Sequence, residues 1–410
     1  MIDKNKISFI IPSRNNAQYL KLALDSIRKY YPNNEICIAN DGSSDNTFDF
    51  IKSLNDPNIK FLSTNVSSIP IGHTILYDYL IKNFCTNSHF VIFHADMICS
   101  ERFLENILKY WEPKTIVSAT RIEPPLHPVG KEKIIQNFGL YDNDFKSSEF
   151  ETFVKENQIE FKDKYTKGFF APWFCSKEDF IELGGHDPLF APYPNEDCDL
   201  AYRAVLNNFN LIQSWDSFVY HFTCRGHKFP EKIGVVHELF DHYEKRAMKN
   251  FLRKWGFPPI LNEYSYPKIV KKFNIGLVIN HIFPDTVIGF EPLFDTIYTD
   301  IFDDSTIINY INSEQESTSF DLKLKFKNIN EKKENDIIIY LNGSKLPSEL
   351  FNLILEFKKY ISENIENIEI GPLFDYKGIS FYRNVSLIKS QTYSDQFRPI
   401  ENKINLKNYA

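Results

Sequence analysis

No apolar run in this chain of 410 residues approaches the roughly eighteen residues that a membrane-spanning helix requires. The first apolar stretch, inside MIDKNKISFIIPSRNN, is also too short for a secretory leader. Cysteine is sparse. The six are Cys37, Cys85, Cys99, Cys175, Cys198 and Cys224, none forms a CxxC pair, and none lies beyond Cys224. That spacing argues against a zinc knuckle or a disulfide framework and for a reducing compartment. An excess of positive charge is missing too. The formal net charge of −7 argues against a dominant nucleic-acid-binding surface and suits acidic clefts that hold a metal. A cytoplasmic protein is expected, soluble or peripheral. Heavy use of Asn, Ile and Lys fits an AT-rich genome, viral or bacterial, so a virus-infected host cell is one setting.

What is present is core-forming material. Hydrophobic residues make up 43% of the chain and aromatics 15%, with 37 Phe and 22 Tyr, enough for a large core in two or three domains. ISFIIP, from Ile7, reads as a strand buried on both faces. Leu20, Leu24, Ile27 and Tyr31 then recur at helical spacing, with Pro32 as the stop. EICIAND predicts a second strand, TFDFIKSL a helix, IKFLST a strand, IGHTILYDYLIKNF a helix and HFVIFHAD a fourth strand. Strands alternating with helices mean βαβ units and a mostly parallel sheet, an α/β fold. Open parallel sheets bind ligands beyond the carboxyl ends of their strands. Those ends carry Ser13-Arg14-Asn15, Asp41-Gly42-Ser43 and His94-Ala95-Asp96.

From Thr115 to about Lys167 the pattern loosens, and TRIEPPLHPVGKEK reads as a Pro-rich loop. Order returns at GFFAPWFCSKEDFIELGGHDPLF, followed by a helix at DLAYRAVLNNF and a strand at IQSWDSFVYHF. GVVHELFDHYEKRAMKNFLRKWG is a long amphipathic helix closed by Gly256 and Pro258-Pro259. Beyond it FDLKLKF and DIIIYLNG alternate like strands, PSELFNLILEFKKYISEN is a strong helix, and GISFYRNVSLI is another strand. The expected division is a first domain at 1–228, a helical linker at 229–262 and a separate α+β domain at 263–410.

NEDCDLAYR raises a question of its own. Glu196, Asp197 and Asp199 put three carboxylates in four positions, just before an apolar run. Either this is the wet start of a helix, where negative charge is favoured by the helix dipole, or one carboxylate has a chemical task.

Taken in order, FIIPSRNN, ANDGSSDNT, FHADM, GGHD, NEDCDLAYR and VYHF resemble an inverting family 2 glycosyltransferase of the GT-A fold, over about residues 5–228. The C-terminal region carries no such likeness. The resemblance implies transfer of a sugar from a nucleotide-diphosphate donor, with UDP-sugar first and GDP or dTDP open, usually with divalent Mn2+ or Mg2+. It implies that Pro12, Ser13, Arg14 and Asn15 cup the base and ribose and that Asp41 accepts a hydrogen bond from the base. His94-Ala95-Asp96 stands where the family has its DxD motif, and Glu196-Asp197 where it has ED. His221 resembles the late histidine that reaches back to the metal. His94 departs from the pattern, so the metal site has one carboxylate fewer than the family's.

The chemistry then assigns roles. Asp96 supplies a hard oxygen to the metal and His221 a nitrogen that suits Mn2+ better than Mg2+. The competing reading has Asp96 capping the helix at SERFLENILKYW, where Ser100 is better placed. Asp197 is the candidate general base that takes the proton of the acceptor hydroxyl. Glu196 contacts the acceptor or orients the loop, and Asp199 is a first-turn helix charge. Arg225, His227 and Lys228 either close over the diphosphate or form a solvated loop. Trp173 either stacks on an acceptor sugar or belongs to the core, Gly184-Gly185 serves a tight turn, and His186 and Asp187 face the acceptor. His73 reads as structural. The acceptor is a glycan, a lipid-linked sugar, a protein or a modified DNA base. Two alternatives stand beside this: a nucleotidyltransferase making nucleotide-sugars, which should show a Gly-rich phosphate loop that IPSRNNAQYL lacks, and a non-catalytic nucleotide-sugar-binding module.

Overall fold

The computed structural model describes residues 2–223, 225, 228, 229, 233 and 235–385. The chain divides into two compact units. Among the described residues, the first holds those up to Glu244 together with Leu261–Lys268, and the second holds Lys245–Ile260 and residues 269–385.

The first unit runs β1 (Ile7–Ser13), α1 (Ala17–Tyr30), β2 (Ile36–Asn40), α2 (Thr47–Ser53), β3 (Ile59–Ser63), α3 (His73–Asn83) and β4 (His89–Ile92). It continues with β5 (Met97–Cys99), α4 (Phe103–Leu108), β6 (Thr115–Glu123), β7 (Lys133–Ile135), α5 (Ser147–Glu160) and β8 (Tyr165–Lys167). Next come β9 (Trp173–Ser176), α6 (Lys177–Glu182), α7 (Glu196–Leu206) and β10 (Asn210–His221). The main sheet order is β3-β2-β1-β4-β9-β6-β10-β5. β3, β2, β1 and β4 are mutually parallel, as the alternating strand and helix pattern predicts. β9 enters antiparallel between β4 and β6, and β6 pairs parallel with β10.

β1 is buried almost throughout because neighbours flank it on both sides. α1 presents Leu20, Leu24 and Ile27 to the core at helical spacing, and Tyr31 closes it, all nearly inaccessible. The loosening expected from Thr115 begins only after Glu123. Thr115–Glu123 is a nine-residue strand deep in the sheet, so TRIE is strand and the loop begins at Pro124. Its polar positions hid it. Ser118 and Thr120 are fully buried, and each spends its hydroxyl on a neighbouring backbone group, Phe170 N–H for Ser118 and the Ser214 carbonyl for Thr120.

α8 (Glu238–Trp255) is followed by β11 (Ile275–Asn280), α9 (Pro284–Phe290), β12 (Thr296–Thr299), α10 (Ser305–Glu314) and β13 (Phe326–Asn328). β14 (Ile337–Asn342), α11 (Leu350–Asn364), β15 (Phe374–Tyr376) and β16 (Ile379–Arg383) complete the described chain. The second sheet has the order β13-β12-β11-β14-β16-β15, parallel across β13, β12, β11 and β14 and antiparallel from β14 outward. Val287, Phe290, Ile307, Ile311, Ile354, Phe357 and Ile361 of its helices share one core with Leu277, Ile297, Ile337 and Ile339 of its strands. FDLKLKF, which alternates like a strand, is a strand only from Phe326. Leu322–Leu324 is a 3-10 turn, because the Asp321 carboxylate accepts from Lys323 N–H and offers the backbone a local alternative to the ladder. No helix of the described residues is long and apolar enough to cross a membrane.

Candidate active site

β1, β2 and β4 end on one rim of the first sheet, and β10 brings His221 to it. Asp41, directly after β2, is buried, and its two carboxylate oxygens accept from Ile71 N–H and Gly72 N–H at 2.9 Å each. Burial raises its pKa and those two N–H groups oppose the rise. Gly72 stands at φ +94°, and a Cβ there would lie 2.2 Å from the Pro192 backbone. Only glycine fits this close approach. Arg14 donates to the Asp41 and Ser67 carbonyls and so straps the first two loops together. Asn15 does the same through Ser43 and Ser44.

Asp96 and His221 meet because β5 runs antiparallel to β10, with Met97 opposite His221. His221 Nε2 lies 3.4 Å from Asp96 Oδ1, and its Nδ1 lies 2.9 Å from Glu123 Oε1. Asp96 Oδ2 accepts from Arg225 N–H at 3.0 Å. Asp96 caps no helix, and neither does Ser100, whose hydroxyl donates to the Phe218 carbonyl at 2.7 Å; α4 starts from Arg102 in the left-handed region without a side-chain cap. Burial opposes ionisation of Asp96, but the His221 and His94 rings and Arg225 N–H outweigh it and hold the acid well below the carboxylate range. Burial likewise disfavours the charged His221 ring, yet Asp96 and Glu123 raise its pKa to about 9.

His94, Asp96 and His221 each offer a ligand atom, and these atoms all lie within 4.8 Å of one another. The donor set is two imidazole nitrogens and one carboxylate oxygen, which fits Mn2+ better than Mg2+. Glu123 on Nδ1 leaves Nε2 of His221 for a cation, the usual outer-shell device for a metal-bound histidine. The residues present therefore fit a divalent metal.

NEDCDLAYR opens α7, and its start is not wet. Glu196 and Asp199 are buried, and Asp199 is fully so. Asp199 Oδ2 receives Arg203 Nε at 2.8 Å, while the same guanidinium donates to the carbonyls of Leu183 and Gly185. Asp199 is thus the anchor of the GGHD turn, where Gly184 and Gly185 both have positive φ. Glu196 Oε1 lies 2.6 Å from His73 Nε2. Asp197 is pushed up to about 6 by removal from water and by the Glu196 carboxylate beside it, with His186, His73 and Arg121 pulling the other way. Burial raises Glu196 as well, but the His73 ring more than reverses this, so its pKa is lowered.

One cavity of about 290 Å³ gathers Pro12, Ser13, Arg14, Asp41, His94, Ala95, Asp96, Glu196, Asp197, His221 and Lys228. Asn15 does not line it; Asn16 does. Trp173, His186, Asp187 and Arg225 do not line it either. Trp173 is fully buried between Phe90, Phe169 and Phe180, so it offers no face for a sugar to stack on. His186 is buried with Nδ1 2.9 Å from Asp78 Oδ1, and Asp187 accepts from Leu189 N–H. Neither side chain lines the cavity where the sequence reading placed it. The Arg225 guanidinium lies over Tyr19 and Tyr141 and donates to the Leu140 carbonyl, so only its main chain serves the site. His227 lies outside the described residues. Sequence reasoning missed His73, Arg121, Glu123 and Tyr193. Glu123 ends a strand, and its signal was the Pro-Pro step immediately after it. Tyr193 stacks on His73 and Phe240 along the wall, and no local pattern marks that contact.

Residues 8–176 match the sequence model of the family described as Glycosyl transferase family 2, so that stretch is a family 2 glycosyltransferase domain. No curated protein sequence matches the chain. Among solved structures, GalNAc-T7 with UDP, GalNAc and Mn2+ matches at 14% identity and TM-score 0.39, over 53% of this chain and 44% of that one. The mannosyltransferase PcManGT from Pyrobaculum calidifontis, in complex with GDP-Man and Mn2+, matches at 16% identity and TM-score 0.39, over 60% of this chain and 62% of that one. The chain thus spans less than two thirds of the length of either.

Proposed function

We propose that this protein transfers a monosaccharide from a nucleotide-diphosphate sugar, UDP-sugar first, to an acceptor hydroxyl with inversion at the sugar carbon. The observation that carries the reading is the meeting of Asp41, Asp96, Asp197 and His221 around one cavity, although 180 positions separate the first from the last. His94, Asp96 and His221 would hold the divalent metal. Bound there, a metal neutralises charge growing on the diphosphate leaving group. Arg14 and the strand-end loops frame the nucleotide side, and Lys228 adds a fixed cation to the cavity wall.

Asp197 is the general base. An ordinary Asp has a pKa near 4 and is a weak proton acceptor, whereas one near 6 is ionised at neutral pH and still basic enough to take a hydroxyl proton. Glu196 is held ionised by His73, so Asp197 is the more basic member of the pair and the one that takes up the acceptor's proton. The acceptor is a glycan, a lipid-linked sugar, a protein side chain or a modified base; the net charge of −7 weighs against DNA.

The deciding experiment incubates the protein with UDP-, GDP- and dTDP-sugars, with and without Mn2+, and follows thermal stabilisation and products. Metal-dependent stabilisation with release of a nucleoside diphosphate supports the reading. Release of pyrophosphate points instead to nucleotidyl transfer, and stabilisation without any turnover against a panel of acceptors to a binding module.

A further inference from the structure

The second unit has a cavity of its own, with a volume of about 430 Å³. It opens where the strand order turns. β11 is flanked by β12 on one side and β14 on the other, so the chain leaves β11 in one direction and returns on its other side. In open parallel sheets a crevice forms at such a point, beyond the carboxyl ends of the two diverging strands. Asn280 ends β11 and Asn342 ends β14, the two are in register, and both line the cavity. Gly343 lets the two strand-end loops close on each other: a Cβ there would lie 2.5 Å from the Asn280 carbonyl and 2.6 Å from that of His281.

The lining sets the chemistry of the occupant. Leu346, Leu350, Leu353 and Ile379 form an apolar wall on the face of the sheet that carries the main core of the unit, and Val278 and Ile329 line the cavity from the other face. Around them stand two carboxamides and the hydroxyls of Tyr340 and Ser380, which can read a heteroaromatic edge and ribose hydroxyls. Asn342 spends its side-chain oxygen on Ser344, leaving its NH2 group to donate. Among the described residues no Asp, Glu, His or Cys lines the cavity, which argues against a metal ion as occupant. Lys345 is the one ionic residue in the lining among the described residues, and it is exposed. Apolar walls, a polar rim and a single cation describe a ligand with one ring system and one anionic group.

We propose that the C-terminal unit carries a second ligand site at the ends of β11 and β14, built for a nucleoside monophosphate, its base between the leucine side chains and its phosphate at Lys345. This site is separate from the cavity of the first unit and does not depend on the glycosyl-transfer reading.

The test is equilibrium dialysis of the full chain against radiolabelled UMP and AMP in EDTA, with photo-crosslinking by azido analogues and peptide mapping. Ribose 5-phosphate and inorganic phosphate serve as competitors to separate base recognition from phosphate recognition. The expected result is crosslinking to peptides within 278–353, with affinity falling about tenfold or more in Lys345→Glu, as loss of a charge-assisted contact predicts, and also falling in Asn280→Asp, which removes an NH2 donor and adds negative charge. Lys345 is at the surface, so its variant should fold even if the Asn280 variant does not. Label confined to the first unit, affinity unchanged in Lys345→Glu, or equal competition by inorganic phosphate would each overturn the proposal.

Discussion

His221 Nδ1 lies 2.9 Å from Oε1 of Glu123, a buried carboxylate that also pairs with Arg121 at 3.2 Å and Lys133 at 3.0 Å. The contact fixes which nitrogen of the ring faces Asp96. Glu123→Gln keeps the shape and removes the charge that orients the imidazole, so Mn2+ affinity is expected to fall by about 10–100-fold. Titration followed by electron paramagnetic resonance reads this directly. Unchanged Mn2+ affinity in a folded variant would detach Glu123 from the metal site.

Asp197→Asn removes the proposed base and little else. Turnover is expected to drop by about 10²–10⁴-fold, with nucleotide-sugar binding retained. Calorimetry beside a product assay separates the two; full turnover in the variant would end the base assignment.

The raised pKa of Asp197 has two consequences of known sign. The base works when deprotonated, so kcat/KM should rise with pH through about 6. Its folded pKa also exceeds the unfolded value of about 4, so the folded state binds the proton more tightly and the stability this confers is lost as pH rises from about 4 to about 6. Asp197→Asn should therefore raise Tm at pH 7.5 and leave it nearly unchanged at pH 4. A variant less stable at pH 7.5 would contradict the strain placed on this acid.

Asp199 differs from Asp197 in kind, two positions away. Asp199→Asn leaves the buried Arg203 charge uncompensated and is expected to cost about 3–5 kcal/mol of stability. Denaturant unfolding measures it. The double variant Asp199→Asn, Arg203→Met should recover part of the loss; if it does not, the pair is not the anchor of the turn.

Asp96→Ala removes the only carboxylate of the three-residue metal cluster. Metal-dependent donor binding should weaken while metal-independent binding persists. Identical donor titrations with and without Mn2+ in this variant and in the parent would take Asp96 out of the site.

Strand ends were the most legible part of the site. Asp41 and Asp96 follow apolar runs, and the rule that ligands gather beyond the carboxyl ends of parallel strands puts them on one rim, while His221 was legible only through the family resemblance. Asp197 was legible through the crowding of carboxylates at the head of a helix. Of the two readings open for Trp173 the core one holds, and His186 and Asp187 lie off the cavity because nearness in sequence to a site residue is not nearness in space. Trp173 lies on β9, whose position between β4 and β6 buries both faces. β6 itself was hidden by Ser118 and Thr120, whose partners come from residues 52 and 94 positions away.

The sequence by itself determined the alternation of strands and helices, the parallel character of the first sheet and the acids at its rim, because period, turn residues and burial on two faces are local properties of the chain. Only the tertiary structure decided that Glu123 holds His221, that His73 holds Glu196, and that Asp199 pairs with Arg203 while Asp197 lines the cavity. Those outcomes depend on which charges the fold removes from water together, and that is set by segments about 100 residues apart meeting in space.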